Sequence, residues 1–267
     1  MTQISILGCG WLGLPLAKAL LKKGFLVKGS TTSIEKISIL QSAGIAPFII
    51  RLEEKKISDC ITDFLANSQI LIVDIPPKLR GNSTGNFIAK IATLIPFIEK
   101  AKIDKVLFVS STSVYGEDND LVTEATPLNP DSEGGRQLAI VESLLQKNSY
   151  FDTTILRFGG LIGEDRNPVR FLSGRENIEN PDAPINLIHQ DDCIGIIEKI
   201  IDLNSWNETY NAVAPFHPTR EEYYTQKATD LNLALPKFAA SNTIVGKTIL
   251  SDTLINSLQY SFIKPAL

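Results

Sequence analysis

Gly8, Gly10 and Gly13 make a Gly-x-Gly-x-x-Gly run between the apolar stretch QISIL and a leucine-rich segment. That spacing suits a dinucleotide. The first glycine permits a tight turn, the second lets a pyrophosphate approach bare backbone, and the third lets a helix pack on its strand. The phosphates would lie at the helix's positive end, against Trp11 and Leu12 as well as the glycines. About twenty residues later, where an acid holds the ribose 2′-hydroxyl of NAD, stand Ser30, Thr31, Thr32 and Ser33. Hydroxyls accept a 2′-phosphate that a carboxylate would repel, and Lys28 and Lys36 are near in sequence. The pattern favours NADP over NAD. Thr32 and Glu35 also have capping-box spacing for the next helix, which is compatible because a box uses one hydroxyl of several.

Other residues are candidates for chemistry. Asp74 ends an apolar run, as a base or as a polar group satisfied by nearby backbone, and the backbone of Ile75 and Pro76 then lines the cofactor groove. Arg166, Arg170 and Arg175 cluster in one loop-like excursion, where on the residues alone they are solvated charge. Tyr223 and Lys227 have Tyr-x-x-x-Lys spacing, yet lie in a polar amphipathic segment where they are a helical i, i+4 pair. His189 and His217 are the only histidines, which argues against a zinc site or a Ser-His-Asp triad. Cys9, Cys60 and Cys193 lie far apart, which suits a reducing compartment and gives no metal cluster.

These residues need a scaffold. Short apolar runs (QISILGCG, GFLVKGST, PFIIRL, QILIVDIPP, DKVLFVSS, DTTILRFGGLIG) alternate with longer periodic ones, which predicts a parallel sheet covered by helices on both faces. The first helix carries Leu12, Leu16, Ala19 and Leu20 on one face, with Pro15 in its first turn. IEKISILQSAG predicts a helix closed by Gly44, and NFIAKIATLIPFIEKAK one bent near Pro96. PINLIHQDDCIGIIEKIIDL predicts a strand, then a helix capped near Asp191. The expected fold is α/β: a Rossmann-type doubly wound sheet from residues 1–163 completed by 185–215, with 164–184 and 216–267 as a small discontinuous lobe. A net charge of −4 argues against a nucleic-acid surface. The apolar N-terminus lacks a basic region before its apolar run, so it is read as no signal peptide, the protein as cytoplasmic with no membrane partner, and the sequons at Asn82 and Asn207 as chance.

VSSTSVYG, Val109 to Gly116, resembles the extended short-chain dehydrogenase/reductase superfamily, which includes the NAD-dependent epimerases and dehydratases of nucleotide sugars. LRFGGLIG, INLIHQDDCIGII and the tail LQYSF are similar to its later segments, and with GCGWLGLPLAKAL the chain looks closest to the atypical YeeZ-like branch. The resemblance implies that Ser111 hydrogen-bonds the reacting oxygen; on the residues alone it is equally a strand-end cap. It implies that Ser110 borders the cofactor, that Ser113 meets substrate, that Arg166, Arg170 and Arg175 hold a substrate pyrophosphate with their forked guanidinium groups, and that Asp191 or Asp192 is the family aspartate. It also allows a homodimer through a two-helix surface.

The superfamily's Tyr-x-x-x-Lys pair, counted back from Glu142, falls at Gly134 and Leu138, so both groups are missing. Acid–base help of that kind is worth a factor of about 10²–10⁴. Arg136 is the cation in that stretch, better cast as an anion clamp than as a proton donor. Two functions remain open. One is an atypical reductase, epimerase or dehydratase of unknown small substrate, drawing its proton from Ser111, water or the substrate. The other is a non-catalytic NADP(H) sensor acting through a protein partner.

Overall fold

The computed structural model describes residues 1–77, 85–118, 120–240 and 246–266; the sequon at Asn82 lies outside them. The chain runs β1 (Gln3–Leu7), α1 (Gly13–Lys22), β2 (Leu26–Thr31), α2 (Ile37–Ser42), β3 (Ala46–Ile49), α3 (Ile61–Leu65), β4 (Ile70–Val73), α4 (Phe87–Ala101) and β5 (Lys105–Ser111). It continues through β6 (Leu121–Val122), α5 (Glu133–Gln146), β7 (Asp152–Phe158), β8 (Gly160–Ile162), α6 (Val169–Leu172), β9 (Leu187–His189), α7 (Gln190–Asp202), β10 (Thr209–Ala212), α8 (Arg220–Asp230), β11 (Thr248–Ile249) and α9 (Asp252–Leu258).

Seven strands pair in the order β10-β7-β5-β4-β1-β2-β3, every pair parallel. β4 shows why its apolar run is continuous. Ile70 and Ile72 enter the layer with Leu16, Leu20, Ile196 and Ile200 of α1 and α7, while Leu71 and Val73 enter the opposite layer with Phe64, Ile91, Leu94 and Val141 of α3, α4 and α5. Alternate side chains thus serve two buried faces. The order reverses between β1 and β4, so a crevice opens at their carboxyl ends, where an open α/β sheet takes its ligand.

Local elements depart from the sequence expectation in instructive ways. On α1 the buried face is Leu16, Ala17 and Leu20, with Ala19 only partly covered. The segment after β2 opens as a 3-10 turn, Ile34–Lys36, before α2, and Gly44 closes it with φ +82°. α3, five residues long, was not predicted. α4 continues through Pro96; Ala92 and Pro96 are exposed, where water can replace the missing donor. DTTILRFGGLIG is two strands, because at Gly159 the chain leaves the main sheet and β8 pairs with β9 instead. The cap of α7 is His189, whose Nδ1 accepts from the Asp191 N–H at 3.2 Å, and not Asp191.

Ile162, Ile185, Leu187 and Tyr223 form a small separate core for the lobe. The last segment does not stay there. Leu254 and Leu258 of α9 and then Tyr260 return to the layer of α1 and α7, so the end of the 216–267 lobe packs with the sheet. Among the described residues no helix is long and apolar enough to cross a membrane.

Candidate functional site

A cleft of about 1330 Å³ lies over the carboxyl ends of β1, β4, β5 and β7, with the lobe as its far wall. One end is the glycine loop. Gly8 has φ +114°, and a Cβ there would meet the Asp74 carbonyl oxygen at 2.2 Å. A Cβ on Gly13 would meet the Gly8 oxygen at 2.2 Å, so helix and strand touch through bare backbone. Gly10 is exposed, with nothing within 4 Å of a Cβ: its face opens onto the cleft beside Trp11 and Leu12. Trp11 ties this end to the lobe. Its indole donates to Asp165 at 2.7 Å, its carbonyl accepts from Gln190 at 2.7 Å, and the Arg166 guanidinium lies 5.0 Å over its ring.

The end of β2 is less open than its hydroxyls suggest. Ser30 is buried and accepts from the Gly8 N–H at 2.9 Å, so it shapes the glycine loop. Thr31 is buried and accepts from the Ser33 N–H at 3.1 Å. The Thr32–Glu35 capping box does not form: the 3-10 turn begins at Ser33, whose hydroxyl donates to Glu35. The box appears instead at Thr219 and Glu222, opening α8. Lys28 turns away from the cleft; its ammonium donates to the Asp63 and Ala66 carbonyls at the end of α3, where a cation suits the helix dipole. Thr32 and Lys36 remain exposed.

Asp74 lines the cleft beside Gly10. Its carboxyl accepts from the Gly13 N–H, which lowers its pKa, but desolvation outweighs that bond and pushes it up to about 7. Ile75 and Pro76 follow it along the same wall.

The middle of the cleft is the end of β5. Ser111 and Ser113 line it, and the Ser111 hydroxyl also accepts from the Ser113 N–H at 3.1 Å, so Ser111 is both a strand-end cap and a cleft residue. Ser110 is buried and donates to Glu142. Glu142 in turn holds Arg157 of β7 through bonds of 2.6 and 3.1 Å, Arg157 donates to the Tyr115 hydroxyl at 2.6 Å, and Tyr115 donates to Asn211 at 2.8 Å. This buried chain clamps α5 against β5 and β7. It also raises the Arg157 pKa despite burial, through the Glu142 hydrogen bonds and charge.

α5 begins under this wall, capped by Ser132 on the Gly135 N–H at 3.1 Å. Gly135 is obligatory, since a Cβ would meet the Ser113 oxygen at 2.2 Å. Gly134 and Leu138, one turn apart, both line the cleft, and a Cβ on Gly134 would have nothing within 4 Å. The positions at which the resemblance puts the pair therefore do face the cleft, and they carry a glycine and a leucine. Arg136 does not fill in: it bonds Glu133 at 3.0 Å and the Pro130 and Asp131 carbonyls, away from the cleft lining.

The NAD dependent epimerase/dehydratase family model matches residues 86–185. Protein YeeZ of Escherichia coli strain K12 is 32% identical over 267 residues, spanning 99% of this chain and 97% of its own. The chain belongs to this family, in the YeeZ-like branch. A solved family structure, a putative NAD-dependent epimerase/dehydratase from Methylobacillus flagellatus, has a TM-score of 0.77 at 26% identity, over 99% of this chain and 94% of its own. UDP-glucuronic acid 4-epimerase from Bacillus cereus, solved in complex with NAD, shares the fold with a TM-score of 0.80 at 20% identity, over 98% and 94%.

In this member of the epimerase/dehydratase family the lobe's cationic wall differs from the expected arginine cluster. Arg166 lines the cleft; Arg170 and Arg175 are exposed outside it. Their place is taken by Arg220, which donates to the Glu179 carbonyl at 2.8 Å, and by Lys247. Lys247 is 5% exposed, and its ammonium bonds the Tyr115 carbonyl and Glu117, each at 2.7 Å. Asn186 brings Lys247 in, donating to its carbonyl at 2.6 Å. Sequence reading missed both cations, which lie far from Arg166 along the chain.

Two other features resolve. Tyr223–Lys227 is no catalytic pair: the Lys227 ammonium sits 5.8 Å over the Tyr223 ring, outside the cleft lining, and burial pushes the phenol up to about 12, the wrong direction for an acid. Of the two candidate aspartates, Asp191 is exposed, whereas Asp192 is fully buried and accepts from the Tyr260 hydroxyl at 2.9 Å and from the Ile263 and Lys264 N–H groups at 2.6 and 3.0 Å. The LQYSF tail and the aspartate are one lock.

Proposed function

We propose that the cleft holds a nicotinamide dinucleotide, NADP(H) ahead of NAD(H), and that the protein is an atypical reductase, epimerase or dehydratase acting on a small anionic substrate. The observation that carries this reading is the common lining. Gly10, Trp11 and Leu12 stand at one end of a single cleft, Ser111 and Ser113 at its middle, and Arg166, Arg220 and Lys247 on the lobe.

The residues fit the cofactor. Gly10 leaves a cradle that a side chain would fill, at the N-terminus of α1. Gly8 and Gly13 shape it, Ser30 holds the loop through Gly8, and Ile75, Pro76 and the β5 end at Ser110 and Ser111 border the groove. When bound, a nicotinamide supplies hydride chemistry. Preference for a 2′-phosphate rests on exposed Thr32 and Lys36 beyond a strand end without a carboxylate; Glu35, held by Ser33, is the counterweight.

The chain's own part in the chemistry is positioning. Ser111 donates to the reacting oxygen, and the lobe cations hold the anionic end of the substrate, where Arg offers a forked donor set. The proton comes from Ser111, water or the substrate, since Gly134 and Leu138 carry none. Three unpaired cysteines fit a cytoplasmic setting, and a homodimer would pair through α4 and α5, where Ile140 is 50% exposed.

The test is calorimetric titration with NADP⁺ and with NAD⁺, then a screen of NADPH oxidation with carbonyl compounds bearing carboxylate or phosphate. Tighter binding of NADP⁺ by tenfold or more, about 1.4 kcal/mol, supports the order given. Binding without turnover of any compound leaves the sensor function in its place.

A further inference from the structure

The most unusual group in the cleft is an acid where an anion is expected. Asp74 lines the wall beside Gly10, Trp11 and Leu12, and its carboxyl accepts from the Gly13 N–H at the start of α1. It is close enough that a Cβ on Gly13 would lie 3.1 Å from its Oδ2. An ionised carboxylate there would compete with a pyrophosphate for the same positive helix end and repel it. Among the described residues no cation pairs with it.

The groups that surround Asp74 do not neutralise it. The groups coupled to it by charge are the Cys9 thiol of the glycine loop and the Cys193 thiol of α7. Both thiols are held protonated, chiefly by burial and then by nearby carboxylates, Asp74 among them. Lys36 and Arg166 act on those thiols from further out, and Asp192 adds negative charge beside Cys193. The donor that lowers the Asp74 pKa is the Gly13 N–H, and its effect is smaller than that of burial. A neutral carboxyl meets these conditions without conflict: one oxygen accepts from Gly13 while the O–H is free to donate.

Resting on the cofactor reading above, we propose that Asp74 binds the dinucleotide in its neutral form, donating a hydrogen bond to a pyrophosphate oxygen, so that the complex takes up one proton as it forms. Asp74 is then a binding residue, and its acidity makes the cofactor's affinity depend on pH. In the free protein the carboxyl changes charge near neutrality. The dinucleotide's negative charge raises its pKa further, so the neutral form is retained in the complex. The sign follows: below the free-protein pKa the acid is already neutral and affinity is flat, and above it affinity falls as pH rises because a proton must be taken from solvent.

The experiment is calorimetric titration of the intact protein with NAD⁺, which lacks a 2′-phosphate that would itself titrate, in two buffers of different ionisation enthalpy between pH 5.5 and 9. Wild type is expected to take up almost no proton at pH 5.5 and close to one near pH 8, with affinity falling by up to about tenfold per pH unit above neutrality. Asp74→Asn, which keeps a donor and cannot ionise, is expected to bind with no linked proton and a flat pH profile. Wild type binding at pH 8 without proton uptake overturns the inference alone, as does an Asn variant that keeps the full uptake or a folded one that no longer binds. If wild type binds neither NAD⁺ nor NADP⁺ even at pH 5.5, the cofactor reading falls and takes this inference with it.

Discussion

The two ends of the cleft have been treated differently. At the glycine loop the backbone is shaped at every step: Gly8 in a left-handed conformation, Gly13 pressed on the Gly8 carbonyl, Ser30 spent on the Gly8 N–H. At α5 the scaffold is equally firm, with Glu142 and Arg157 clamping it and Gly135 against Ser113, yet Gly134 and Leu138 present no acid, base or cation. Framework and reactive groups are therefore separable on one helix. A buried ion pair can hold a helix in place whether or not its cleft-facing residues carry reactive groups.

The sharpest break of this comparison is to remove the clamp. Glu142→Ala leaves the Arg157 guanidinium buried without its main partner, and loss of one member of such a pair costs about 3–5 kcal/mol. Thermal and urea unfolding are expected to show that loss. A cost below about 1 kcal/mol, the level of an exposed pair, would mean that the pair does not anchor α5.

Ser111→Ala tests the end of β5 with the framework intact. Turnover on a substrate found by screening should drop by about 10²–10³, as for loss of one preorganised donor, with NADP⁺ affinity nearly unchanged. Equal turnover would remove Ser111 from the chemistry.

Asp74 adds a stability test that needs no ligand. Its folded pKa, about 7, lies above its ordinary carboxylate value of 3.8. Its stabilising contribution is thus complete below the ordinary value and is lost as pH rises through the folded one. Asp74→Asn should gain on wild type steadily from pH 4 to 7 and level off above, read by urea midpoints at each pH. A constant difference would show that Asp74 does not titrate there.

The smallest effect is the most local. Gly134→Ala should stabilise by about 0.4–1 kcal/mol, since its Cβ points into open space and the unfolded chain loses freedom. Gly135→Ala, one residue on, should destabilise by about 1–3 kcal/mol through overpacking against Ser113. If the two shifts shared a sign, the packing of α5 under the 112–114 turn would be other than described.

How far these features could be read in advance follows from how local their causes are. The glycine run and the two-faced strands were legible because a tight turn and an alternating buried strand leave their residues side by side in the chain. The hydroxyls after β2 were visible, but a sequence does not say that Ser30 is already bonded to Gly8. α3 has five residues, too few for a helical period to declare itself. Arg166, Arg170 and Arg175 are near one another along the chain, yet only Arg166 of the three lines the cleft. Arg220 reaches the cleft because Pro184 bridges to Thr219, and Lys247 arrives because Asn186 holds its carbonyl. His189 was passed over as a cap because its ring nitrogen does what a serine or aspartate oxygen more often does.

The lock on Asp192 sets an order of events during synthesis. The aspartate is made some seventy residues before the groups that satisfy it, Tyr260, Ile263 and Lys264. A nascent chain that has already assembled β1 to β10 still carries a carboxylate with no place in the apolar layer and a groove on α1 and α7 awaiting Leu254 and Leu258. The main core therefore stays open on its α1 and α7 side until residues 254–264 have arrived, however early β1 to β10 assemble.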